Sequence, residues 1–170
     1  MLLLGLGSNL PSQFGDRFEN IQLTISCLES YKINIIKKSS FYETPSYPDF
    51  KNPKFINVVV QASTNLPPED LASVLLFIEE KLGRKRNKKN DPRTCDIDII
   101  DINGKIINFH YKSFVFKVPH EKLIYRNFVL YPLQEILPNW EHPKTGEKVC
   151  TLITKLTEDD RKSILKVNKN

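Results

Sequence analysis

The stretch LGRKRNKKNDPRTCDIDIIDING, Leu82 to Gly104, joins the signals that decide the fold. It opens on the end of a helix. Leu71, Val74, Leu75, Ile78 and Leu82 recur at helical spacing behind Pro67 and Pro68, and Gly83 stops the run. A cationic loop follows. The stretch closes on CDIDIIDI, which reads as a strand, and on Asn103-Gly104, a strong hairpin turn with KIIN as the return strand.

Upstream, residues 2–6 read as a buried strand that ends in a Gly-Ser-Asn turn. Asp16-x-x-Glu19 is a capping box, and Phe18, Ile21, Ile25 and Leu28 carry an amphipathic helix to about Ser30. Ile33–Tyr42 and Phe55–Ala62 are rich in β-branched and aromatic residues, so both read as strands, joined by the proline-stiffened ETPSYPDFKNP. The order β-α-β-β-α-β suits an α+β, ferredoxin-like sandwich, an antiparallel sheet with helices packed on it. C-terminal additions follow: a short strand near Val115, a helical segment from Phe128 to Leu137, and a lysine-rich tail expected to fray. The chain fits one domain over 1–170, with its core in about 1–150 and a tail over 151–170.

Composition narrows the function classes. No apolar run approaches the roughly 20 residues of a membrane span, and the apolar start lacks a basic leader, so a cytoplasmic protein is expected. Cys27, Cys95 and Cys150 are too few and too irregular for a disulfide framework or a zinc site. The net charge of +5 is local: Arg84 to Arg93 holds six basic residues and one acidic, which leaves 19 of each sign elsewhere. That favours one anion site over a broadly basic, nucleic-acid-binding surface.

Asp96 and Asp98, two apart on a strand, project from the same face while Ile97 and Ile99 point inward. Such a pair suits a hard divalent cation, although D-x-D alone more often marks a solvated strand face. The loop carrying Arg84, Arg86, Lys88, Lys89 and Arg93 returns through Pro92 to this strand. Cations and carboxylates therefore become neighbours, as a metal-bridged polyphosphate requires. A P-loop sequence is absent, and GLGSN reads as a structural turn. His120, Arg126 and Phe128 share one short connection. Two other classes fit parts of the pattern: a ferredoxin-like RNA-binding module, without its aromatic strand motif, and a Mg-dependent nuclease. The nuclease needs a third ligand, and on a regular strand Asp101 faces away from Asp98.

Together, LGLGSNL, SSFYETP, FINVVV, the E-x-x-x-G-R-x-R of Glu79 to Arg86, PRTCDIDI and PHEKLIYRNFVLYPL resemble the 6-hydroxymethyl-7,8-dihydropterin pyrophosphokinases of folate biosynthesis. The resemblance runs from about Leu4 to Leu137. It implies transfer of pyrophosphate from ATP to the pterin hydroxymethyl oxygen, with release of AMP. Asp96 and Asp98 would hold two Mg²⁺ ions, and Arg84 and Arg93 would be catalytic. ATP would be held by Glu79, Arg86, Lys89, Ile99, His120 and Arg126. The pterin would lie against Phe55 and Phe128, read by Asn57, Thr44 and Pro45. A monomer is expected, with small-molecule substrates and neither nucleic acid nor membrane as partner. One departure from the family pattern is Asn90-Asp91, where Trp-Gly is common.

Overall fold

The apolar start of the chain becomes β1 (Leu2–Ser8), the centre of a computed structural model that describes residues 1–86 and 91–169. β1 pairs antiparallel with β4 (Phe55–Ser63) on one side and β5 (Asp96–Ile102) on the other. On the far side of β4 lie β2 (Asn34–Lys38) and β3 (Phe41–Thr44), both antiparallel to it. This is the expected ferredoxin-like order, with the anticipated second strand broken in two. The break is local: Ser39 exchanges backbone and side-chain hydrogen bonds with Val59, so the chain steps sideways between β2 and β3.

α1 (Arg17–Ser30) starts at the predicted capping box, where the Asp16 carboxylate accepts from the N–H groups of Phe18 and Glu19, and Glu19 accepts from Asp16 N–H. α2 (Pro68–Lys81) ends just before Gly83, whose φ of 88° is the left-handed turn that the glycine permits. Side-chain alternation then sorts the sheet into two faces. Leu4, Leu6, Val58, Val60, Ile97 and Ile99 meet Ile21, Leu28, Leu71, Leu75 and Ile78 of the two helices. Leu3, Val59 and Ile100 face the other way, under α3 (Asn127–Ile136), α4 (Val149–Thr154) and Trp140.

Several expectations are corrected here. Gly5 and Gly7 lie within β1, which runs on to Ser8, so they do not form a turn. Asn103 and Gly104 do turn, with φ of 55° and 68°, but the return segment does not pair with β5. Instead β6 (Ile107–Tyr111) pairs with β7 (Phe114–Val118) in a separate ribbon. Asp101 accepts the Gly104 N–H at 2.6 Å and diverts the chain, and Tyr111 is hydrogen-bonded to Ser73 of α2 at 2.6 Å. The tail is ordered as well. Leu152, Ile153 and Leu156 join the second core, α5 (Glu158–Lys162) follows, and β8 (Leu165–Val167) extends the sheet beside β3.

β5 is not regular. Leu3 pairs with Asp101 and Leu4 with Ile99, so Ile100 and Asp101 bulge onto the α3 face together. Asp101 thus shares a face with Asp98, contrary to the regular-strand expectation. It is buried and accepts from Trp140 Nε1 at 2.8 Å. Among the described residues no helix is long and apolar enough to cross a membrane.

Candidate active site

The α3 face of the sheet changes character along the strands. At one end Leu3, Val59 and Ile100 are roofed by α3. Toward the other end the same alternation presents Gly5 opposite Asp98, and Gly7 between Asp96 and Asn57. Neither glycine fills the space above its strand. A Cβ on Gly7 would lie 3.4 Å from Asn57 Oδ1, 3.6 Å from the Phe55 ring and 3.8 Å from Asp96 Cβ. Beside Gly7 the floor therefore has a carboxylate on one side and an amide and an aromatic ring on the other, while Gly5 lies between Asp98 and Val59.

Guanidinium groups converge on the carboxylates. Arg84 pairs with Asp96, and Arg93 reaches the same carboxylate through Nε at 2.7 Å and Nη2 at 2.5 Å. Arg126 pairs with Asp98 at 2.5 Å. Burial alone would raise the Asp96 carboxyl, but Arg93 and Arg84 outweigh it and hold the group below its ordinary range. Two of these arginines also lie over rings: Arg93 is 4.8 Å from the Phe55 centroid, and Arg126 is 5.4 Å from that of Phe128. The backbone around Arg93 is fixed to the end of β1. Asn9 and Leu10 donate to its carbonyl at 3.0 and 3.2 Å, and its N–H donates to Asn9 Oδ1 at 2.7 Å.

Glu79 is 2% exposed and anchors the other side of the cluster. It pairs with Arg84 and Arg86 and accepts the Ile97 N–H at 2.7 Å. Burial pushes its carboxyl up against the pull of those arginines. Glu79 thus holds Arg84 and Arg86 in place. Ile99 packs in the α1/α2 core, so a contact from it to a nucleoside would run through its backbone. His120 is half-buried; its Nδ1 accepts from Lys122 N–H at 3.0 Å, and Asp98 and Arg126 both lie near enough to act on its charge. Burial lowers its pKa. Thr44 accepts from Asn57 Nδ2 at 2.9 Å and fixes that amide, and Pro45 follows at the start of the β3–β4 loop. Lys89, like Lys88 and Asn90, lies outside the described residues.

Some site residues were not singled out in the sequence. Asn9 donates to Ser46 Oγ at 3.2 Å and Pro53 O at 3.1 Å, tying the β3–β4 loop to the segment that carries Arg93. Beside Arg84 and Arg86 an open surface hollow of about 220 Å³ is bounded by Leu76, Glu80, Lys112 and Phe114. Arg86 lies 5.1 Å from the Phe114 centroid. Asn9 had a signal, a polar residue directly after a glycine-bearing strand; Lys112 and Phe114 had none, because the hairpin was expected to pair elsewhere.

A family model described as 7,8-dihydro-6-hydroxymethylpterin-pyrophosphokinase (HPPK) matches residues 3–138. The chain belongs to this family. HPPK relatives bear this out. The Aquifex aeolicus 2-amino-4-hydroxy-6-hydroxymethyldihydropteridine pyrophosphokinase is 39% identical over 140 residues, 82% of each chain. Its Synechocystis counterpart is 34% identical over 152 residues, covering 89% of this chain and 73% of its own. The folic acid synthesis protein fol1 of Pneumocystis carinii is 37% identical over 164 residues; the match takes in 95% of this chain but only 21% of that longer protein. Among solved structures, Plasmodium falciparum HPPK-DHPS with pteroate shares the fold, with a TM-score of 0.68 at 17% identity over 91% of this chain and 42% of that one. The chain is accordingly an HPPK domain, a diphosphotransferase type of folate synthesis.

Proposed function

We propose that this domain moves the terminal diphosphoryl group of ATP onto the hydroxymethyl oxygen of 6-hydroxymethyl-7,8-dihydropterin. The oxygen bonds to the β-phosphorus, the bridge to the α-phosphate breaks, and AMP leaves as the hydroxyl proton is lost. What supports this most is the convergence of Arg84, Arg93 and Arg126 on Asp96 and Asp98 above a glycine floor. Charge of both signs is concentrated where a triphosphate and a cation must meet.

The donor set suits Mg²⁺. Two carboxylates share a strand face, and among the described residues no group of three His, Cys, Asp or Glu gathers as a metal cage. That fits a hard ion that draws its remaining ligands from water and phosphates. Bound there, two such ions would neutralise charge on the attacking and leaving oxygens. Asp96 and Asp98 would hold them. Arg84 and Arg93 would stabilise charge developing on the transferred group, and Arg86, Lys89, His120 and Arg126 would bind phosphates. The nucleoside would rest in the open hollow beside Leu76 and Phe114, with Glu79 fixing the arginines behind it. The flat pterin would lie over Gly7 against Phe55 and Phe128, its polar edge read by Asn57 and by the backbone at Thr44 and Pro45.

The domain would act as a monomer on small-molecule substrates, and the free thiols Cys27, Cys95 and Cys150 suit a reducing cytoplasm. The test is AMP release from ATP and Mg²⁺ with and without the pterin, with identification of the product. Pterin-dependent AMP and a pterin diphosphate are expected. Folded protein that binds ATP yet forms neither product would overturn the proposal.

A further inference from the structure

Asp96 and Asp98 already carry positive partners, and those partners are held very unequally. Arg84 bridges Asp96 to Glu79, a buried carboxylate at 2% exposure that also grips Arg86. Arg84 is thus held between two carboxylates, one of them buried, and breaking two such pairs at once is unfavourable. Among the described residues the guanidinium groups of Arg93 and Arg126 have no such buried anchor. Beyond Asp96, Arg93 meets the carbonyl of Asp91 at 3.1 Å and the face of Phe55; beyond Asp98, Arg126 meets the face of Phe128. The Arg126 and Asp98 side chains are 22% and 31% exposed, so water screens their attraction.

We propose that Arg126 and Arg93 are exchangeable counter-ions of the two carboxylates, released to the phosphates when a metal-bearing triphosphate arrives, whereas Arg84 stays in place. The idea rests on the metal reading above. A triphosphate offers each fork bidentate oxygens of higher charge than one carboxylate. A bare divalent ion offers the arginines nothing and must displace them. It therefore binds poorly alone and well with nucleotide. The two carboxylates also differ. Among the described residues Asp98 pairs with Arg126, whereas Asp96 keeps Arg84 even when Arg93 leaves.

The experiment titrates Mn²⁺, a spin-visible substitute for Mg²⁺, into the full chain, following free Mn²⁺ by electron paramagnetic resonance. Wild type should bind Mn²⁺ weakly alone and more tightly with α,β-methylene-ATP. Without nucleotide, Arg126→Met should bind Mn²⁺ about fivefold more tightly than wild type, the factor expected for one partly exposed ion pair. Arg93→Met should gain less. A gain in affinity is not what structural damage produces. If Arg126→Met fails to fold by circular dichroism, Arg126→Gln takes its place. Tight nucleotide-dependent binding in wild type with no gain in a folded Arg126 variant overturns the exchange alone. Failure of wild type to bind Mn²⁺ even with the nucleotide analogue overturns the metal reading and the exchange with it.

Discussion

The two halves of one sheet face, built from the same three strands, have opposite uses. Under α3, Leu3 on β1, Val59 on β4 and Ile100 on β5 pack against Val129, Leu130 and Leu133. A few residues along, β1 contributes Gly5 and Gly7, β4 contributes Asn57 and Phe55, and β5 contributes Asp98 and Asp96. The alternation is unbroken in β1, so the backbone alone does not separate core from site. Side-chain volume and polarity do. At Leu3 a helix covers the sheet; at Gly7 the flanking strands present Asp96, Asn57 and Phe55, and Gly5, between Val59 and Asp98, marks the boundary.

This contrast predicts that the halves fail independently. Asp96→Ala should lower Mg²⁺-dependent turnover by on the order of a thousandfold, as for loss of a charge-stabilising group, while circular dichroism and the thermal midpoint hold. Retained turnover would remove the metal assignment. Leu130→Ala, in the covered half, should do the reverse. It should cost about 2–5 kcal/mol in denaturant unfolding, the usual range for emptying a core leucine, with unchanged KM values in the fraction that stays folded. A shift in KM for the pterin would show that the halves are coupled.

A smaller effect is expected at the rim. Tyr42 donates to Glu135 at 2.7 Å, and Ser40 and Lys166 also reach that carboxylate. Tyr42→Phe should cost about 1 kcal/mol, the net value of one hydrogen bond, without altering turnover. Burial acts to raise the Glu135 carboxyl, but these bonds win and depress it below its ordinary 4.5. A depressed folded-state pKa stabilises the protein above the unfolded value, and that contribution is lost as pH falls below about 4.5. The difference between wild type and Tyr42→Phe should therefore shrink on acidification; a constant difference would assign the loss to packing.

Much of this was legible in the sequence because it rests on short periods. The capping box at Asp16, the proline start of α2 and the shared face of Asp96 and Asp98 are all local rules that the fold obeys. The errors came where a local signal competed with a distant partner. Asn103-Gly104 turns as its residues demand, yet Asp101 and α2 decide where the next strand goes. GLGSN looked like a turn because glycine usually breaks strands, whereas β1 is held on both edges and tolerates it. The lysines of the tail predict fraying, but its Leu152, Ile153 and Leu156 find a core supplied by α3. Arginine positions near the carboxylates could be anticipated from the loop's return; which arginine serves which aspartate could not.

The glycine floor is the central claim, and calorimetric titration of 6-hydroxymethyl-7,8-dihydropterin into Gly7→Ala tests it most directly, with Mg²⁺ and α,β-methylene-ATP present. The backbone at Gly7 is ordinary strand and the added methyl meets its neighbours at 3.4 Å or more, so the fold should be unaffected. The methyl would nonetheless stand on the floor where the proposed site puts the ring. Pterin affinity should fall roughly tenfold, as for overfilling a packed contact, with the thermal midpoint unchanged. Wild-type affinity in Gly7→Ala would mean that the pterin does not lie over β1 and would contradict the account.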